Sequence, residues 1–124
     1  MINLCALRQM IMDLHNVEEH LKVDVGVTFN EAAILCAIDS GYTEPAGIAK
    51  QMNLSPSRTS RLLTSVEAKK LINRRNSRSD KRVVHISLSQ RGQKVLAQLH
   101  SCDAKFPPYI EEAILKGSEL IEEQ

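Results

Sequence analysis

The sequence predicts a mainly α protein carrying one small β-hairpin, an α+β fold in which the strands are the minor part. Three observations predict it. Apolar residues recur at spacings of three and four along most of the 124 residues, the period of an amphipathic helix. Aromatic residues are 3% of the chain and tryptophan is missing, so Leu, Ile, Val and Ala must fill the core, which favours helices. The clearest strand is VVHISLS, residues 83–89, which alternates side to side and is rich in β-branched residues. A chain of this length fits one domain and buries a core without staples.

Residues 2–22 read as a long helix, with Ile2, Cys5, Leu7, Ile11, Leu14, Val17 and Leu21 at helical spacings. VDVGVT, residues 23–28, is a loop. Its last residue, Thr28, caps a second helix over about 29–39, and Glu31 three residues on completes a capping box. That helix holds Phe29, Ala32, Ala33, Leu35, Cys36 and Ile38; Cys36, inside AAILCAI, reads as a small core residue. SGYTE turns at Gly41. A short third helix follows over about 45–52, with Pro45 in its first position and Thr43 or Glu44 before it.

Asn53 and Leu54 connect tightly to a fourth helix. Ser55 is its N-cap, because the serine oxygen accepts a free backbone N–H. Pro56 suits the first helical position, where its missing N–H costs nothing. Leu62, Leu63, Val66 and Thr59 form an apolar stripe, whereas Ser57, Arg58, Ser60, Arg61, Thr64 and Ser65 lie largely off it. A short helix, a turn of a few residues and a second helix make the helix-turn-helix pattern.

After Lys70 the period changes. LINRRNSR reads as a strand anchored by Leu71 and Ile72, and NSRSDKR is a polar, basic hairpin tip. In the second strand Val84, Ile86 and Leu88 oppose Val83, His85 and Ser87. Ser89 caps a further helix beginning QRGQKVLAQL. Pro107 and Pro108 interrupt the helical pattern, and a final helix covers about 108–122.

Charge is unevenly distributed. From Lys50 to Lys94 there are twelve basic residues and two acids, Glu67 and Asp80, a local net of +10; the remainder, with four bases and thirteen acids, carries −9, which leaves +1 overall. A basic block between acidic ends is a partner signal, and a polyanion is drawn to it. The apolar runs fall far short of the roughly 20 residues that span a bilayer. The N-terminus lacks the basic start and small-residue cleavage site of a signal peptide, so a cytoplasmic protein with no membrane partner is expected. Cys5, Cys36 and Cys102 are scattered, odd in number and free of any CxxC pair, which argues against a disulfide scaffold or structural zinc. No nucleophile–base set, phosphate loop or paired-carboxylate site stands out, so no enzyme activity and no cofactor are expected.

The run IAKQMNLSPSRTSRLLTSVEAKKLINRRNSRSDKRVVHISLSQRGQKVL, within Phe29–Leu96, resembles the MarR family of bacterial transcriptional regulators. DKRVVHISLSQRG is its most specific piece and looks like the family's wing and following strand. The resemblance implies a winged helix-turn-helix flanked by dimerisation helices. It divides the single domain 1–124 into a DNA-binding core at 29–96 and dimerisation helices at 1–28 and 97–124. Two departures stand out: Lys70 replaces the glycine that usually ends the reading helix, and Asn76 replaces a common acid.

Elementary physics leads to the same assignment. The major groove admits one α-helix, and short polar groups with Arg near its N-terminal end meet the base edges. Ser55, Ser57, Arg58, Ser60 and Arg61 supply these groups, and the helix N-terminus itself favours a phosphate. In the wing, Arg78, Lys81 and Arg82 suit the backbone or a narrow minor groove. The resemblance implies that Asp80 pairs with a nearby Arg and braces the wing. Its other reading is a turn residue bonded to its own backbone.

Two further constellations stand out. In HNVEEH, His15 and His20 are five apart and do not share a helix face, whereas His15 can share one with Glu18 or Glu19. A solvated face is the expected reading and no metal site is assigned there. His100 and Cys102, two apart, add little. Cys5 lies near a helix start, a setting in which thiols become reactive. The resemblance makes it a candidate redox sensor; the other reading is a buried interface residue. The expected function is a homodimeric, sequence-specific DNA-binding regulator on a palindromic operator, a repressor released by a small-molecule effector or stress signal. The alternatives are a winged-helix protein-interaction module, or a redox- or metal-sensing variant of the regulator.

Overall fold

The structure, a computed structural model, describes residues 1–101 and 106–122. Among these residues the elements run α1 (Leu4–Asp24), α2 (Phe29–Asp39), α3 (Pro45–Met52), α4 (Pro56–Ala68), β1 (Ile72–Asn76), β2 (Val84–Leu88), α5 (Gln90–Ser101) and α6 (Pro108–Glu122). The chain divides into two compact units, Val27–Cys102 and Met1–Gly26 with Asp103–Gln124. The mainly α chain with a β-hairpin wing expected from the sequence is what is found. Cys102, paired above with His100, lies outside the described residues.

In the first unit α2 is the central element and packs against α3, α4, α5 and β2. Its start is fixed locally: the Thr28 hydroxyl accepts the Glu31 N–H at 3.1 Å, and the Glu31 carboxylate accepts the Thr28 N–H at 3.0 Å. Ile34, Leu35 and Ile38 are buried, as are Ile48, Leu63, Val66 and Ile86 of the elements packed around α2. Each such side chain contributes about 1.5–3 kcal/mol by leaving water. Cys36 departs from expectation: it is exposed, not in the core. It lies about 200° round the helix from Ile34, on the far side from the inward stripe.

Two left-handed residues end helices here. Asn53 (φ 53°, ψ 45°) closes α3, with the Leu54 N–H reaching the Ala49 carbonyl at 3.0 Å. Lys70 (φ 62°) closes α4. Its N–H bonds to Glu67 O at 2.9 Å, and the Leu71 N–H bonds to Val66 O at 3.0 Å, the paired bonds of a Schellman motif. The helix end usually made by glycine is therefore built here on lysine. Leu71 and Val66, the residues the motif brings together, are both buried.

β1 and β2 pair antiparallel with Ile72 opposite Leu88, Arg74 opposite Ile86 and Asn76 opposite Val84. On the other edge of β2 the Ile86 N–H donates to Thr43 O at 2.7 Å, fastening the hairpin to the α2–α3 turn. Ser89 then caps α5, as expected, accepting the Gly92 N–H at 2.9 Å and donating to Lys70 O at 2.7 Å. This brings α5 so close to the α4–β1 turn that a Cβ on Gly92 would stand 2.0 Å from Leu71 O. Only glycine fits there.

In the second unit Asn3 caps α1 by accepting the Ala6 N–H. The helix starts two residues later and ends two residues further on than the sequence spacing suggests. The Tyr109 hydroxyl of α6 donates to Asp13 of α1. Val17, Leu21 and Ile110 are buried, whereas Leu4, Leu7, Ile11, Ile114, Leu115, Leu120 and Ile121 are exposed. No helix among the described residues is long and apolar enough to cross a membrane.

Candidate nucleic-acid interface

The N-terminal half of α4 forms from its cap outward. The Ser55 hydroxyl accepts the Arg58 N–H at 3.2 Å and Pro56 occupies the first helical position. Thr59, Leu63 and Val66 turn into the core and set the rotation of the helix. Ser57, Arg58, Ser60 and Arg61 are then left exposed together with the Ser55 cap. Arg58 and Arg61 make no ion pair among the described residues, so both guanidiniums are available to an outside anion. The buried Thr59 hydroxyl has no hydrogen-bond partner among the described residues.

Arg58 and Arg61 also line an open groove of about 420 Å³ between α4 and the start of α2, with Leu54, Leu62, Ser65 and Lys69 along it. At its wall lies Glu31, whose side chain is only 3% exposed. Burial pushes the Glu31 carboxyl up, but hydrogen bonds from Lys69, Ser65 and the Thr28 N–H, with the Lys69 charge, outweigh it and hold the group below the ordinary carboxylate range. Lys69 Nζ stands 2.7 Å from Glu31 Oε1. The capping box was legible in sequence. The reach of the same carboxylate to α4 was not, and Ser65 is half-buried against it rather than solvated.

The wing is the β1–β2 connection. The Ser77 N–H donates to Val83 O at 2.8 Å and the Val83 N–H to Asp80 O at 3.0 Å. The Asp80 carboxylate accepts both the Arg82 backbone N–H at 2.9 Å and the Arg82 Nε–H at 3.3 Å. The paired Arg82 side chain is still 93% exposed. Arg78 and Lys81 are exposed as well. Asn76, which stands where an acid is common, donates through its amide to Lys81 O at 2.7 Å and so closes the base of the loop. Arg74 on β1 bonds Glu67 at 2.9 Å, joining the end of α4 to the hairpin.

The other candidates lie in the second unit. Cys5 is exposed in the first turn of α1. His15 stands 3.9 Å from Glu19, and His20 bonds the Asn16 carbonyl at 2.8 Å. Among the described residues no three His, Cys, Asp or Glu side chains gather as a metal site.

The family model for the transcriptional regulators SarA/Rot matches residues 16–99. No curated protein matches the chain. Many solved structures share the fold. CouR bound to a 23-mer DNA duplex superposes with a TM-score of 0.73 at 20% identity, covering 94% of this chain and 89% of that one. The MepR–DNA complex of S. aureus gives 0.65 at 20% identity, covering 96% and 98%. Apo MarR from E. coli gives 0.65 at 23% identity, covering 81% and 75%. The MarR resemblance read from the sequence is thus borne out, and the fold is the winged helix of these structures.

Proposed function

The chain belongs to the SarA/Rot family of transcriptional regulators, and from that premise we propose that it is a homodimeric repressor that binds a palindromic operator through α4 and the wing. Ser55, Ser57, Arg58, Ser60 and Arg61 read the major groove. Arg78, Lys81 and Arg82 hold the flanking backbone or minor groove, and Asp80 braces Arg82. The observation that carries this reading is the exposed face of hydroxyls and of guanidiniums that make no ion pair among the described residues, on the first half of α4 and in the same unit as a basic hairpin. That MepR and CouR were solved on DNA supports it. The protein acts in the cytoplasm, and a small ligand or stress signal releases it from DNA.

Selection of bound sequences from a random DNA pool tests this. A palindromic enriched motif is the expected result. Arg58→Ala and Arg61→Ala should each weaken binding to the enriched duplex by about 1–3 kcal/mol, the size of a bidentate base contact. Unchanged affinity in both single variants would remove α4 as the reading helix.

A further inference from the structure

We infer that Glu31 is a positioning residue for DNA reading: from the start of α2 it holds α4 at the rotation that presents Arg58 and Arg61 to the bases. This rests on the reading of α4 proposed above and assigns a determinant of specificity that lies outside α4 and the wing. Three groups converge on the one buried carboxylate. The Thr28 N–H ties it to its own helix, and the Ser65 hydroxyl and Lys69 ammonium tie it to α4. Ser65 and Lys69 are four residues apart and share a helix face. With 100° per residue, Arg58, Ser65 and Lys69 fall within a stripe about 40° wide, and Arg61 lies roughly 60° from Arg58.

The core stripe of Thr59, Leu63 and Val66 lies about a right angle away from the clamp. Apolar packing alone tolerates small rotations because it is non-directional. A carboxylate that accepts from two side chains of one helix is directional and does not. A turn of about 10° moves a group at roughly 6 Å from the helix axis by about 1 Å. That exceeds the width of about 0.5 Å over which an N–H···O bond is made. Bidentate base contacts are sensitive to such a shift, whereas attraction to the phosphate backbone is long-ranged and is not. Loss of the clamp should therefore reduce discrimination between sequences more than it reduces attraction to DNA.

The test uses the full chain, the duplex enriched from the random pool and a scrambled duplex of the same length at one salt concentration. Affinities are measured for wild type, Glu31→Ala, Glu31→Gln and Ser65→Ala, with circular dichroism confirming that each is folded at the assay temperature. Glu31→Ala should lose roughly tenfold or more on the enriched duplex and less than about threefold on the scrambled one. Glu31→Gln keeps the shape: its one carbonyl oxygen can still accept from Thr28, and its amide N–H can donate to the Ser65 oxygen in place of the bond Ser65 gave, so it should recover part of the lost discrimination. If Glu31→Ala does not fold, Ser65→Ala carries the test and should show the same selective loss in smaller degree. An equal loss on both duplexes, or unchanged discrimination with only a lower melting temperature, overturns the positioning role alone. A wild-type chain that prefers no duplex overturns the reading of α4 and this role with it.

Discussion

The carboxyl of Glu31 is taken out of water and is still held below the ordinary carboxylate range. Burial raises it, and the bonds from Lys69, Ser65 and Thr28 together lower it by more. Lys69 remains 40% exposed, so the pair is buried on one side only and avoids the full cost of desolvating two charges. A group whose folded value is lower than its unfolded value of about 4.3 stabilises the fold above that pH. The contribution is lost as pH falls through the folded value. Glu31→Gln should therefore destabilise the protein by about 1–2 kcal/mol at pH 7. The gap to wild type should shrink as the pH is lowered from 5 towards 3. Urea midpoints of both proteins across that range check it, and a gap that stays constant on acidification refutes the assignment. The capping half of this residue's role was legible because its partner is three positions away. The other half depends on Ser65 and Lys69, 34 and 38 positions away, which no local pattern reveals.

Element boundaries were legible where a short-range device sets them. Thr28, Ser55 and Ser89 all accept the N–H expected of a cap. The junction of α4, β1 and α5 is different, because three segments meet through backbone atoms. Lys70 holds a left-handed conformation that costs an L-residue roughly 1–2 kcal/mol. Glycine loses more chain entropy on folding, so Lys70→Gly should stabilise by about 0.5–1 kcal/mol. Gly92→Ala should do the reverse, by about 1–3 kcal/mol, because its methyl meets the Leu71 carbonyl rather than a flexible side chain. Melting temperatures that move in opposite directions check both, and a neutral Gly92→Ala would refute the close approach. In the wing, the Asp80–Arg82 ion pair is surface-exposed and adds little stability by itself. We propose that it shapes the tip. Asp80→Ala should weaken operator binding in a salt titration although it removes a negative charge. Tighter binding would mean that Asp80 acts only as a repelling charge.

At the scale of the molecule, helical spacing marked apolar sides but not which of their residues the chain itself covers. The spacing of Cys5, Ile11, Leu14, Val17 and Leu21 marks an apolar side of α1, yet among these only Val17 and Leu21 are buried. The α6 residues Tyr109, Ile114 and Ile121 are exposed, whereas Ile110 is covered. Leu4, Leu7, Ile11 and Met12 on α1 and Leu115 and Leu120 on α6 are also open to solvent, and large exposed apolar side chains gathered on one unit are the usual mark of an interface. We propose that a second copy pairs with this surface across a two-fold axis and removes it from water, and a two-fold pair carries the two reading helices that a palindromic operator needs. Residues 1–22 and 108–124 should form most of the contact, in an interface of roughly 800 Å² per partner. Light scattering should give twice the 13.9 kDa chain mass. Deleting residues 108–124 should lower both the dimer content and the operator affinity, because the two half-sites are then bound separately. A full-length chain that stays monomeric at micromolar concentration and still binds its operator with undiminished affinity would exclude this arrangement.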